Sequence, residues 1–145
     1  MSYFKKTIYK LIKQNITIAT AESCTGGLLA YSFIKNTNAS KIFKSGYIAY
    51  SNKSKITNLK IKKKLITKYG AVSHEVAKSM AENLYKINKS TISISTTGIA
   101  GPLGKTSSKP VGLIYIGINY KSKIKVYKKK FKGTRIEIQK KCVMF

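Results

Sequence analysis

Thr20–Gly27 reads TAESCTGG and follows the alternating run ITIAT (Ile16–Thr20). Alternation of apolar and polar residues predicts a strand over Ile16–Thr20, and the apolar spacing after the glycine pair predicts a helix over Gly26–Ile34. TAESCTGG is therefore a strand-to-helix turn with Ser23, Cys24 and Thr25 packed into it. Ligand sites in α/β sheets gather at strand ends of this kind. The helix starting near Thr25–Gly27 is expected to offer free backbone N–H groups and the positive end of its dipole to an oxyanion or a phosphate. Gly26 and Gly27 would permit close backbone approach. Side-chain chemistry alone leaves Ser23 and Cys24 both open as nucleophile. A thiol is intrinsically the more nucleophilic, yet a free cysteine is most often a small packed group. Thr25 suits a helix cap or a substrate contact.

Working outward, the pattern alternates between helical and extended periods. Tyr3–Lys13 carries apolar residues at helical spacing. Asn36–Ser40 reads as a loop and Gly46–Tyr50 (GYIAY) as a strand. Asn52–Tyr69 is lysine-rich and predicts two short helical pieces. Ser73 is placed to cap a helix over His74–Ile87, with Val76, Ala77, Met80, Ala81 and Leu84 on its apolar face. Thr91–Thr97 (TISISTT) alternates as a strand. Gly98–Pro110 is a Gly/Pro/Ser loop. Val111–Tyr120 and Lys123–Phe131 predict a hairpin around Lys121-Ser122, and Gly133–Phe145 a short last helix. Strands interspersed with helices predict one domain over residues 1–145, a three-layer α/β/α sandwich with a mixed sheet.

Composition narrows the chemistry. The 145 residues hold 29 basic and 4 acidic side chains, for a net charge of +25. That charge suggests a polyanionic partner. The basic residues, however, are all lysine except Arg135, and they are spread along the whole chain. A solvated basic surface is the better reading of such a distribution, and nucleic acid the weaker one. With no aspartate and one histidine, His74, a Ser-His-Asp triad cannot be assembled. The four glutamates are scattered and the two cysteines are remote from His74, so no metal or other cofactor is expected. A general base is then more readily a lysine. Val111–Tyr120 is too short to span a bilayer. Met1–Lys6 is not followed by the apolar segment of a signal peptide, so a cytoplasmic protein with reduced thiols is expected.

Two further loops join the first at predicted strand ends: GYIAYSNKSK (Gly46–Lys55) and TTGIAGPLGKTSSKPVG (Thr96–Gly112). The second contains Gly104-Lys105-Thr106, which imitates the end of a phosphate-binding P-loop. The first glycine of that motif would fall on Ile99, and the chain lacks an aspartate for magnesium, so a nucleoside triphosphatase is excluded. What is left is a glycine loop whose N–H groups could face an anion or a polarised carbonyl.

TAESCTGGLLA (Thr20–Ala30), GYIAYSNKSK (Gly46–Lys55), YGAVSHEVAKSMAE (Tyr69–Glu82), TGIAGPLGKTSSKPVG (Thr97–Gly112) and GTR (Gly133–Arg135) together resemble the C-terminal domain of the CinA (competence-damage inducible) family and its stand-alone form, nicotinamide-nucleotide amidase. The resemblance covers nearly the whole chain. It implies hydrolysis of the carboxamide of nicotinamide mononucleotide to nicotinate mononucleotide and ammonia. It further implies Ser23 as nucleophile, Lys55 as base and Tyr50 beside them. Substrate contacts are implied at Thr25, Gly26, Gly46, Thr97, Gly98, Ala100, Gly101 and Arg135. A phosphorylated small-molecule substrate and a homo-oligomer are the expected partners. The rival expectation is a non-catalytic, basic, nucleic-acid-binding protein, whose binding would be salt-sensitive and indifferent to Ser23 and Lys55.

Overall fold

A computed structural model describes residues 3–145. Met1 and Ser2, part of the segment read for a leader, lie outside the described residues. The elements in chain order are α1 (Tyr3–Lys13), β1 (Ile18–Glu22), α2 (Leu28–Ile34), a 3-10 turn (Ala39–Lys41), β2 (Phe43–Ile48), α3 (Asn52–Leu59), α4 (Lys63–Tyr69), α5 (His74–Asn88), β3 (Ile92–Gly98), β4 (Leu113–Tyr120), β5 (Lys123–Lys130) and α6 (Arg135–Met144). The strands form one sheet in the order β2-β1-β3-β4-β5. β2, β1 and β3 run parallel, whereas β4 and β5 are antiparallel to their neighbours.

Side-chain alternation along the strands sorts the core into two faces. Ala19 and Ala21 of β1 pack with Leu59, Ile66, Val76, Met80 and Leu84 of α3, α4 and α5. On the opposite face Ile18 packs with Ile8, Leu29 and Phe33 of α1 and α2. Ile114 and Ile116 of β4 meet Ile138 and Cys142 of α6 on that same face. The expected three-layer α/β/α sandwich with a mixed sheet is the observed one.

α5 crosses the sheet at close range because the facing residues are small. A Cβ on Gly117 would lie 2.7 Å from the Ala77 carbonyl oxygen. Beside it, Ser95 Oγ donates to that same carbonyl at 2.7 Å. Ser73 caps α5, its hydroxyl accepting from the Val76 N–H at 3.2 Å. The β4–β5 hairpin turns at Lys121 and Ser122, both at positive φ (48° and 74°), the conformation whose twist suits a two-residue hairpin.

Several boundaries depart from the sequence pattern: β1 starts at Ile18 where Ile16 was expected, α2 at Leu28 where Gly26 was expected, and β2 spans Phe43–Ile48 where Gly46–Tyr50 was expected. β1 runs two residues beyond the expected strand, to Glu22, which pairs with Ile48 on one side and Thr96 on the other. The loop expected at Asn36–Ser40 ends in the 3-10 turn at Ala39–Lys41. Among the described residues no helix is long and apolar enough to cross a membrane.

Candidate active site

Three parallel strands end on the same side of the sheet, and each delivers one loop. Ser23 follows β1 directly, its N–H donating to the Thr96 carbonyl at 2.9 Å. The ladder thus continues one residue past the strand and fixes where Ser23 sits. After β2, Ala49 N–H donates to the Glu22 carbonyl at 2.8 Å, and Ser51 caps α3 through the Ser54 N–H. Lys55 therefore sits near the start of α3. After β3, the loop beginning at Gly98 turns back toward β4.

Lys55 and Ser23 meet where these loops converge. Lys55 Nζ lies 2.9 Å from Ser23 Oγ and 3.4 Å from the Tyr50 carbonyl oxygen. Lys55 is 2% exposed and Ser23 8%. Among the described residues no carboxylate is within ion-pair distance of Lys55. Burial pushes the Lys55 amine below the ordinary lysine value, against a smaller opposing effect of Cys24. A buried lysine with no counter-charge, hydrogen-bonded to a hydroxyl, has the form of a neutral amine poised to take that hydroxyl's proton.

A cavity of about 280 Å³ opens over this pair. Of the residues named from sequence, Ser23, Lys55, Tyr50, Thr97, Gly98, Ala100 and Arg135 line it. Gly101 does not line it but holds Arg135, whose Nη1 donates to the Gly101 carbonyl at 2.7 Å while Nη2 donates to the Tyr50 hydroxyl at 2.9 Å. One guanidinium thereby spans the loops after β2 and β3. Thr134 caps α6 with a reciprocal Glu137 contact, which sets Arg135 at the first turn. The Thr97 hydroxyl donates to the Ala71 carbonyl at 2.8 Å.

Besides Gly101, three of the named residues do not line the cavity. Gly46 lies within edge strand β2, opposite Thr20 of β1, where a Cβ would come within 2.9 Å of Thr20 Oγ1. Its role there is the close approach of strand and side chain. Thr25 is buried, its hydroxyl donating to Glu22 Oε1 at 2.5 Å and meeting Thr96 Oγ1 at 2.8 Å. Gly26 (φ 56°) shapes the turn, with its N–H donating to the Ser23 carbonyl.

The start of α2 also differs from expectation. Its first N–H groups are not free. Leu28 donates to Thr25, while Leu29 and Ala30 donate to the two Glu22 carboxylate oxygens at 2.8 and 3.0 Å. The buried carboxylate takes the place of an external anion at this helix end. Among the described residues neither the Cys24 nor the Ala100 backbone N–H has an acceptor, and both residues line the cavity.

Sequence reading missed Glu22, Asn52, Ala71, Val72 and Leu103. Glu22 was legible in principle: an acidic residue just before a glycine-led helix that has no side-chain cap of its own. Ala71 and Val72 carry no chemical signature, and only the packing of α5 brings them to the cavity wall.

Comparison with known proteins follows the same outline. The CinA C-terminal domain matches residues 2–145. A CinA-like protein of Fusobacterium nucleatum is 48% identical over 143 residues, covering 97% of this chain and 35% of its own length. A Clostridium novyi relative named for competence-damage inducibility is 50% identical over 134 residues, covering 92% of this chain and 32% of its own. The chain thus spans about a third of the length of the curated relatives it matches. Among solved structures, the competence/damage inducible protein of Agrobacterium tumefaciens superimposes with a TM-score of 0.93 at 29% identity, over 97% of this chain and 86% of its own. The competence or damage-inducible protein of Enterobacter asburiae gives 0.92 at 27% identity, over 97% and 88%.

Proposed function

This chain belongs to the CinA C-terminal domain family, and on that premise we propose that it is an amidohydrolase that deamidates nicotinamide mononucleotide. The observation that carries the reading is the 2.9 Å contact between the buried Lys55 amine and the Ser23 hydroxyl. In this reading neutral Lys55 accepts the Ser23 proton as Oγ attacks the carboxamide carbon. The N–H groups of Cys24 and Ala100 stabilise the oxyanion. The Lys55 ammonium then gives its proton to the amide nitrogen, which departs as ammonia and leaves an ester on Ser23. Water, activated by the same amine, releases the nicotinate product. The reaction as drawn needs no metal.

Arg135 suits the substrate phosphate. Two of its five N–H donors hold Tyr50 and Gly101, and the rest are available to an anion. The net charge of +25 draws a phosphorylated substrate toward the site. Tyr50, 60% exposed, forms the rim.

The same charge favours a second reading, a basic surface for nucleic acid. A groove of about 630 Å³ along α3–α5 is lined by Lys60, Lys62, Lys78 and Lys86. Glu75 and Glu82 also line it, which weakens its pull on a polyanion. The deciding experiment is ammonia release from nicotinamide mononucleotide with chelator present, beside Ser23→Ala and Lys55→Ala. Release that survives chelation and disappears in both variants is expected. A folded wild type that releases none, yet binds DNA with steep salt dependence, would replace the first reading with the second.

A further inference from the structure

The amide reading leaves Cys24 without side-chain chemistry, and the last helix brings a second sulfur to it. Cys24 and Cys142 are the chain's two cysteines, and both are free. Each is 5% exposed, and they share one packed cluster with Ile114, Ile116 and Ile138. α6 lies directly against the Cys24 turn: Gln139, one turn before Cys142, donates its side-chain amide to the Cys24 carbonyl. Each also has an approach for a small molecule. Cys24 lines the Ser23–Lys55 cavity, and Cys142 lines a largely apolar cavity of about 270 Å³ between α2, α6 and the sheet.

We propose that Cys24 and Cys142 are a redox pair, forming a reversible disulfide that ties α6 to the turn carrying Ser23. The oxidant is hydrogen peroxide or another small hydroperoxide. The Cys24 thiolate attacks one peroxide oxygen and the O–O bond breaks. That oxygen stays on sulfur as a sulfenic acid, and the other departs as hydroxide and is protonated to water. The Cys142 sulfur then attacks the sulfenic sulfur. The S–S bond forms, the S–O bond breaks, and the leaving hydroxide departs as water with the Cys142 proton. Each sulfur has lost one electron, and peroxide has gained two to become two waters.

The surroundings set the order of events. The thiolate is the attacking form, and Cys24 lines the Ser23–Lys55 cavity through which a small peroxide would reach it. Cys142 is held as the neutral thiol by its contact with Cys24 and by burial. Buried pairs of this kind in reducing compartments are characteristically transient and redox-sensing.

The link would act on the site through α6. This helix carries Arg135, and its Gln139 side-chain amide donates to the Cys24 carbonyl at 3.0 Å. Bonded sulfurs must close to about 2.05 Å. That closure pulls the Ser23 turn toward α6 and strains the alignment of Ser23 with Lys55.

The test uses the full chain treated with hydrogen peroxide, then alkylated and analysed by intact mass and peptide mapping. The expected result is a loss of two hydrogen masses, protection of both cysteines from alkylation, a Cys24–Cys142 cross-linked peptide, and full reversal by dithiothreitol. Cys142→Ser should divert Cys24 to a trappable sulfenic acid. Cys24 over-oxidised in the wild type with Cys142 still alkylatable would overturn the proposal, as would two unreacted thiols. This mass readout is independent of the amidase reading. The effect on turnover does rest on that reading: oxidised protein should release ammonia about tenfold or more slowly than the same sample after reduction.

Discussion

Lysines occur in two contrasting settings in this molecule. On edge strand β5, Lys123, Lys125, Lys128 and Lys130 stand exposed. Charged side chains in that position keep an unpaired edge from recruiting another strand. At the other setting Lys55 is 2% exposed, beside Ser23 and, among the described residues, with no carboxylate at ion-pair distance. The same amine is a solvated cation in one place and, in the proposed reaction, a base in the other. The difference is desolvation. Water holds the β5 ammonium groups in their charged form, whereas the protein interior offers Lys55 one hydroxyl and one carbonyl. A reactive lysine is thus made by its surroundings, and a basic composition says little about which one it is.

That contrast can be broken most sharply at the pair itself. Ser23→Ala should abolish ammonia release. Lys55→Met, which keeps the volume and removes the amine, should lower kcat by about 10²–10⁴-fold, measured in steady-state assays. Next in size is Glu22→Gln. One carboxylate oxygen becomes an NH₂ facing a backbone N–H at the start of α2. Denaturant unfolding should show a loss of about 1–3 kcal/mol, with the Ser23 turn loosened as well.

The third effect has the opposite sign. Burial lowers the folded-state pKa of Lys55, so above that pKa the unfolded chain binds the extra proton. Wild-type stability therefore rises with pH from the lowered value up to about 10.4, and the full cost of the buried charge is present below it. Lys55→Met should be more stable than wild type at neutral pH. The gap should be roughly 1.4 kcal/mol for each unit of lowering, narrowing as pH rises. Thermal unfolding from pH 6 to 10 checks this. Arg135→Lys gives a smaller effect, about tenfold in kcat/KM for the phosphorylated substrate, because an ammonium cannot span Tyr50 and Gly101 together. Smallest of all, Lys125→Gln or Lys128→Gln on β5 should change stability by about 0.5 kcal/mol or less and leave turnover unchanged.

The fold was legible because each local signal agreed with the next. Ser73 before an apolar helical stripe, alternation in ISIST, and the polar pair Lys121-Ser122 between two strand-like runs all point to single elements. The boundary of β1 was hidden because Ala21 and Glu22 lack strand character. The strand extends through them by pairing on both sides, a tertiary effect. At the site, Ser23, Lys55, Tyr50 and Arg135 were reachable through motif resemblance, since nothing in the local sequence distinguishes Lys55 from its 27 fellow lysines. Thr25, Gly26 and Gly46 were named from the same motifs but build the turn and the strand contact rather than the cavity. Glycine and threonine strings look alike whether they touch a ligand or brace the residues that do. Glu22 shows the converse. A lone acidic residue in a basic chain was set aside as a scattered carboxylate, yet it holds the helix beside Ser23 in place.

The most direct measurement is the pH dependence of kcat/KM for ammonia release from nicotinamide mononucleotide, in wild type and Lys55→Met. The expected profile rises with pH through one ionisation below the ordinary lysine range, as Lys55 becomes a free amine, and that limb vanishes in the variant. A wild-type profile with no such ionisation, or a Lys55→Met variant that keeps full activity, would contradict the assignment of Lys55 as the base that activates Ser23.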